Sequence, residues 1–342
     1  MSATRRSQVT IRDVASHAGV SMTTVSDVVN GKGRVDPATR QRVLASVREV
    51  GWRPRRSARA LRSGQSGIIA LCIPRREHGV RDWLLNADYD MALIAACAAA
   101  AVDADRQLLL APRPEDLDDL ARLDVDGVVI ADPREHDPAL VVLDQARIPT
   151  VTIGRDLGRD DGWWVETDNA AATATALEHL AEQGATRIAL LNSDAPWAWF
   201  ADTADAYLAW CARREVEPLV RLIDVQRPRE SAAEAVDDLF RLQRPPDAVL
   251  AVPQGTPLGV LDGVTALGRR VPDDVLLAAG IDGQTLSVAA PPVTAIDLQP
   301  MRAAQAAVEL LIRRVAGDAE AGPTVIDAGL TVRTSTSPVR GA

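Results

Sequence analysis

Lysine is almost missing from this chain: Lys32 stands alone among 342 residues. In so alanine-rich a sequence this scarcity reflects coding bias, so the sign of a cationic site carries information and the use of arginine does not. Cysteine is sparse as well. Cys72, Cys97 and Cys211 lie far apart in apolar or helical runs without a C-x-x-C spacing, which excludes a disulfide framework or a cysteine metal site and fits a reducing compartment. The four histidines, His17, His78, His136 and His179, show no metal-ligand spacing and no G-x-S-x-G partner, so no catalytic or metal role is expected. No G-x-G-x-x-G follows an early strand and no phosphate-binding G-x-x-x-x-G-K-[ST] occurs; the glycines between Gly255 and Gly268 read as turns, and no cofactor is expected. No apolar run reaches the roughly 18 to 20 residues of a membrane span. The stretch from Met91 to Val102 is alanine-rich and stops at Asp103, as a buried helix would. Arg5 and Arg6 are followed by no apolar segment of a secretion signal, so the expectation is a cytoplasmic protein without a membrane partner.

What is present is a large apolar fraction and a divided charge. Hydrophobic residues make up 47% of the chain, enough for packed cores, and the length exceeds one ordinary core. A small module joined to one or two larger lobes is the natural arrangement. Residues 1–64 hold 13 basic and 4 acidic side chains, a net +9, and the remainder carries −18. A basic head on an acidic body is the footprint of a protein that touches nucleic acid at one end.

The head reads as three helices. Thr10 caps a first helix with Ile11, Val14, Ala15 and Ala18 on one side, and Asp13 stands where a capping-box acid belongs. Gly19 ends it. Ser21 caps a second helix, Met22 to Val29, which Asn30 and Gly31 stop. Asp36 and Pro37 open a third, which carries Val43, Leu44 and Val47 and stops at Gly51. Two short helices about a tight glycine turn form a helix-turn-helix, with Met22, Thr23, Ser26 and Asp27 facing outward toward base edges.

The run from Val9 to Asn30, with its Asp-Val-Ala, Gly-Val-Ser and Thr-Val-Ser elements, resembles the LacI/GalR signature. Thr39 to Val43, Gly51 to Pro54 and the hinge-like Ala58 to Leu61 continue the resemblance. It implies DNA contact by Thr10, Ser21, Met22, Thr23, Ser26, Asp27, Asn30, Arg56, Ala58, Arg59, Leu61 and Arg62. Met22, Thr23 and Asp27 match base-reading positions, and Leu61 matches a leucine wedged into the minor groove, flanked by arginines. Asp27 departs from a position that is often basic: either it accepts from cytosine and alters the operator, or it points away and reads nothing.

Beyond the polar junction Ser63 to Gly67, strand-like and helical runs alternate. One series comprises 68–73, 89–102, 107–111, 117–123, 127–131, 138–146 and 150–154; a second comprises 169–183, 187–191, 202–215, 232–242, 248–252, 259–268 and 276–281. Such alternation argues for two lobes with parallel sheets. Segments such as Asp126 to Ile130, Val271 to Val275, Gly280 to Asp282 and Val332 to Thr336 again resemble LacI/GalR landmarks. The fold class so implied is an all-α helix-turn-helix head (1–56) and hinge (57–66), followed by an α/β two-lobed, periplasmic-binding-protein-like domain (67–336) and a tail (337–342). Lobe 1 is placed near 67–158 and 292–322, lobe 2 near 159–291 and 323–336, with crossings near 155–165, 289–293 and 321–325.

In this arrangement an effector sits between the lobes. The candidate contacts are Asn86, Tyr89, Arg155, Trp197, Trp199, Thr203, Gln254 and Asp282. Thr203 stands where the resemblance places a ligand-gripping arginine, and Pro253-Gln254 replaces an expected Asn-Asp pair, while Trp197, Trp199 and Phe200 lie just upstream. Either a tryptophan stacks on the effector beside Asp282 and Gln254, or the aromatics fill core. The expected partners are double-stranded operator DNA, a small-molecule effector and a second copy of the chain, since one head reads one half-site. A transport solute-binding protein would need a secretion signal and no basic head; an enzyme would need a nucleophile or cofactor loop. The expected function is effector-responsive transcriptional regulation, most often repression.

Overall fold

A computed structural model of the chain describes residues 9–29, 33–52, 65–73, 88–120, 123–159, 161–318 and 322–337. Asn30, Arg56, Ala58, Arg59, Leu61, Arg62 and Asn86, most of the hinge and most of the tail lie outside the described residues. The chain divides into two compact units, 1–66 and 67–342.

In the first unit, local chemistry sets the helix ends. Helix α1 (Ile11–Ala18) starts at Thr10, whose backbone N–H and hydroxyl both donate to the Asp13 carboxylate, at 2.7 and 2.8 Å. Gly19 closes it at φ 66°, a left-handed turn where a side chain would be strained. Ser21 caps α2 (Met22–Val29) by accepting from the Thr24 N–H at 3.1 Å. Asp36 accepts from the Ala38 and Thr39 N–H groups and opens α3 (Pro37–Glu49). Val14, Ala15, Ala18, Val25, Val28 and Val43 form the core, with Trp52 packed against its edge. Arg42 donates to the Ala18 carbonyl at 3.1 Å and so ties α3 to the end of α1.

The second unit contains two six-stranded sheets. Sheet 1 is built from β1 (Ile68–Cys72), β2 (Gln107–Ala111), β3 (Gly127–Ala131), β4 (Thr150–Ile153), β5 (Trp164–Thr167) and β11 (Thr324–Ile326), in the order β11-β5-β4-β3-β1-β2, with every pair parallel. Helices α4 (Asp88–Asp103) and α12 (Pro300–Val315) cover one face through Leu93, Cys97, Ala304 and Leu311. Short α5 (Leu117–Leu120) and α6 (Pro138–Gln145) cover the other. Sheet 2 contains β6 (Ile188–Asn192), β7 (Val220–Leu222), β8 (Ala248–Ala251), β9 (Leu276–Ala279), β10 (Thr294–Asp297) and β12 (Gly329–Thr331) in the order β12-β10-β9-β8-β6-β7, with only β12 antiparallel. Helices α7 (Asn169–Glu182) and α8 (Ala198–Arg214) pack on one face, with Tyr207 and Trp210 buried. On the other lie α9 (Pro228–Phe240) and α10 (Thr256–Ala266), with α11 (Gln284–Ser287) beside them.

Three features differ from the sequence expectation. The chain passes between the sheets near 168, 298 and 327–328, because β5 and β11 belong to sheet 1 and β10 to sheet 2. Each crossing therefore falls after the expected 155–165, 289–293 and 321–325. These strands have three or four residues and include Glu166, Thr167, Thr294 and Asp297, too short and too polar for a period to show. Helix α12 was not anticipated as an element. Gly259 and Gly263 are not turns: they lie inside α10 where α9 comes closest, and a Cβ on Gly259 would sit 2.1 Å from the Arg229 carbonyl oxygen.

Candidate functional site

On the head, α2 turns Met22 (46% exposed) and Thr23 to solvent, whereas Val25 and Val28 face the core. Ser26 and Asp27 are half-buried. The Asp27 carboxylate lies against Gly33, 3.5 Å from the position a Cβ there would occupy, so it leans toward the segment that follows α2. The Thr10 and Ser21 hydroxyls are engaged in their own helix starts, at Asp13 and Thr24.

In the second unit a cleft opens between the sheets, at the carboxyl ends of parallel strands where loops converge. It is lined by the ends of β3, β4 and β5 (Asp132, Arg155, Glu166), the first turn of α4 (Tyr89, Asp90), the start of α8 (Trp197, Trp199, Phe200) and the residues after β8 (Pro253, Gln254). Its non-atom space is about 930 Å³, mouth included. Trp199 and Phe200 form a tilted aromatic pair with centroids 3.8 Å apart, and Trp197 lies 5.6 Å from Phe200.

Arg155 bridges the lobes. Its Nη2 donates to both oxygens of Asp202 on α8, each at 2.7 Å, and its Nε donates to Glu166 Oε2. Burial works against the Arg155 charge, but hydrogen bonding to Asp202 and the attraction of Glu166 more than offset it, so its pKa rises. Burial pushes the Glu166 carboxyl up despite Arg155. Two further contacts join the lobes beside the cleft: the Glu135 N–H donates to the Pro196 carbonyl at 2.9 Å, and the Thr285 N–H donates to Asp88 at 2.7 Å.

Tyr89, Arg155, Trp197, Trp199 and Gln254 line this one cleft, and two other candidates do not join them. Thr203 is 4% exposed and faces inward from α8, its hydroxyl 3.4 Å from that of Thr173 behind Trp199. Asp282 is held by Arg333 through two hydrogen bonds of 2.8 Å and accepts from the Gly283 N–H, in a recess beside the cleft. Both oxygens are occupied by a side chain 51 residues away in sequence. Sequence reasoning missed Asp90, Asp132, Glu166, Asn169 and Phe200. A carboxylate directly after an apolar strand, as at Asp132 after β3, was the available signal.

Residues 10–55 match the lacI family of bacterial regulatory proteins, and residues 177–336 match a periplasmic binding protein-like domain. The regulator CelR of Thermobifida fusca is 29% identical over 97% of this chain and 99% of its own. The maltose regulon regulatory protein MalI of Escherichia coli is 33% identical over 77% of each. Among solved structures, a CelR–cellobiose complex superposes with a TM-score of 0.70 at 26% identity over 96% of this chain and all of its own. A lac repressor dimer bound to operator and an anti-inducer shares the fold, at a TM-score of 0.83 and 24% identity over 96% of this chain and 99% of its own. With these matches spanning both head and body, the chain belongs to the lacI family: it is a DNA-binding transcriptional regulator and not an enzyme.

Proposed function

We propose that this regulator is a cytoplasmic repressor that binds a near-palindromic operator as a homodimer and changes its affinity when a small polar metabolite enters the interlobe cleft. The observation that carries the reading is the exposed Met22–Thr23 face of α2, standing free of the core in a head of net charge +9. A helix of this size fits the major groove, where Thr23 can meet base edges and Met22 a thymine methyl. Phosphate contacts by Thr10 and Ser21, DNA contact by Asn30 and Ala58, and a minor-groove role for Leu61 flanked by Arg56, Arg59 and Arg62 complete the proposed interface. Asp27, turned toward Gly33, is assigned no base contact. A second copy of the chain is proposed to cover edge strand β2, where Leu109 and Leu110 are 38% and 47% exposed; an apolar unpaired edge invites association. The sugar-linked relatives support a polar effector in the cleft.

Selection of duplexes from a randomised pool tests the reading. The selected sites should be two-fold symmetric, and binding should weaken steeply with salt. Met22→Ala and Thr23→Ala should change base preference at symmetric positions, and Asp27→Arg should alter preference only where a new guanine contact forms. Equal retention of all duplexes, with no salt dependence, would refute it.

A further inference from the structure

Two residues that line the cleft each carry a buried polar atom with no partner within the protein: Glu166 Oε1 and Trp197 Nε1. Both are shielded from solvent, and Glu166 as a whole is 8% exposed. Desolvated polar atoms left unpaired are costly, and their location marks where a partner belongs. The other buried unpaired side-chain atoms among the described residues, on Arg113, Arg187, Asn192 and Thr256, do not line this cleft. Of that set, only Glu166 and Trp197 belong to the lining of the cleft.

The pair also has a definite chemistry. Glu166 Oε1 is an acceptor, and the indole N–H of Trp197 is a donor only. Arg155 occupies the other Glu166 oxygen, which leaves Oε1 as the unpaired one, and the Arg155 Nη2 is committed to Asp202. A hydroxyl both donates and accepts, so a compound carrying several hydroxyls satisfies both atoms. A phosphate dianion or ionised carboxylate brings no donor and meets the Glu166 charge, whereas an ammonium brings no acceptor for Trp197. The Trp199 and Phe200 rings and Ile153, Val225 and Leu298 supply apolar surface for the carbon face of a ring.

We propose that Glu166 and Trp197 are the specificity-determining pair of the effector site, and that together they select a neutral, hydroxyl-bearing ring compound over its anionic counterparts. The proposal rests on the reading of the cleft as the effector site. Neither Arg155 nor Asp282 takes the ligand-reading part in this arrangement, because each is committed to another side chain.

The test titrates tryptophan emission of the full-length protein with glucose, galactose, cellobiose and maltose, and with glucuronate and a glucose phosphate as charged counterparts. At least one neutral sugar should bind saturably and more tightly than the anionic compounds. That sugar should bind about 10-fold or more weakly to Glu166→Gln and Glu166→Ala, as expected for a lost hydrogen bond to a charged group. Trp197→Phe, which removes the indole N–H, should cost about 2- to 10-fold. One monodeoxy analogue should lose affinity for the parent protein but lose nothing further on Glu166→Ala, a coupling that a purely structural role for Glu166 would not produce. Glu166→Gln preserves side-chain volume and serves if the alanine variant does not fold.

Full affinity in both Glu166 variants, with binding abolished by Trp199→Ala, would overturn the proposal and leave the cleft reading standing. If Trp199→Ala also bound normally, the ligand would sit elsewhere and both readings would fall. Tighter binding of the anionic compounds, or no saturable binding by any neutral sugar, would equally overturn the proposal.

Discussion

Replacement of Gly259 by alanine gives the sharpest test of the packing that supports one wall of the cleft. On an exposed helix, Gly→Ala stabilises by about 1 kcal/mol, because it reduces the backbone freedom of the unfolded chain. In α10 the new Cβ would lie 2.1 Å from the Arg229 carbonyl oxygen and 2.8 Å from Ala232 Cβ. An unstrained carbon–oxygen contact is about 3.3 Å, so α9 must withdraw by roughly 1.2 Å along its length. Overpacking of this kind costs about 1–3 kcal/mol, and a backbone obstacle places it at the upper end. After the propensity gain, a net loss of about 2 kcal/mol remains, equivalent to a fall of roughly 4–8 °C in Tm for a domain of this size. Circular-dichroism melting of the two proteins at one concentration measures it. Gly263→Ala, whose Cβ would be 2.9 Å from Val236 Cβ, should shift Tm in the same direction by less. A Gly259→Ala protein with an unchanged or higher Tm would refute the close-approach argument. Because Gln254 precedes α10 and lines the cleft, effector affinity should fall alongside stability.

Arg333→Ala strands the Asp282 carboxylate, which is 20% exposed, and should cost about 2–3 kcal/mol in urea unfolding. Lysine should restore only part of this, since a point charge cannot make the two-pronged contact, and a shift near zero would show the pair to be idle. Burial lowers the His179 pKa from its ordinary 6.5, against a weaker opposite pull from Glu182. Folding therefore favours the neutral ring, and its contribution is present above pH 6.5 and lost as acidification protonates it. The stability gap between the parent and His179→Gln should narrow or reverse below that pH, and a gap independent of pH would contradict the assignment. Leu110→Glu on strand β2 should convert dimer to monomer at micromolar concentration and weaken operator binding by about 10-fold or more, read by sedimentation and gel retardation. An unaltered dimer would remove β2 from the interface.

The head was legible in the sequence because its signals are local. Thr10, Gly19, Ser21 and Asp36 each act within three residues of their own position, and the structure uses them at the helix boundaries read from the pattern. The mostly apolar strands β1, β3, β6 and β8, with the helices after them, were also visible as alternating runs. Strands β5, β7, β10, β11 and β12 were not, since they combine a length of three or four residues with polar residues or glycine that break the apolar run. The aromatic residues upstream of Thr203 left two readings open in the sequence; in the structure Trp197 and Trp199 line the cleft at the start of α8, whereas Thr203 faces inward.

By itself, then, the sequence determined the helix-turn-helix, the charge division between head and body, the alternation that builds two parallel sheets, and the family. Those properties depend on neighbours in the chain. Tertiary structure alone decided which polar groups meet: Arg155 with Asp202 across 47 residues and Asp282 with Arg333 across 51, while Glu166 and Trp197, in the lining of one cleft, each keep an unpaired atom. A side chain's partner is fixed by the packing of whole lobes, and a cleft residue becomes a reader or a strut only once that packing has satisfied it or left it open.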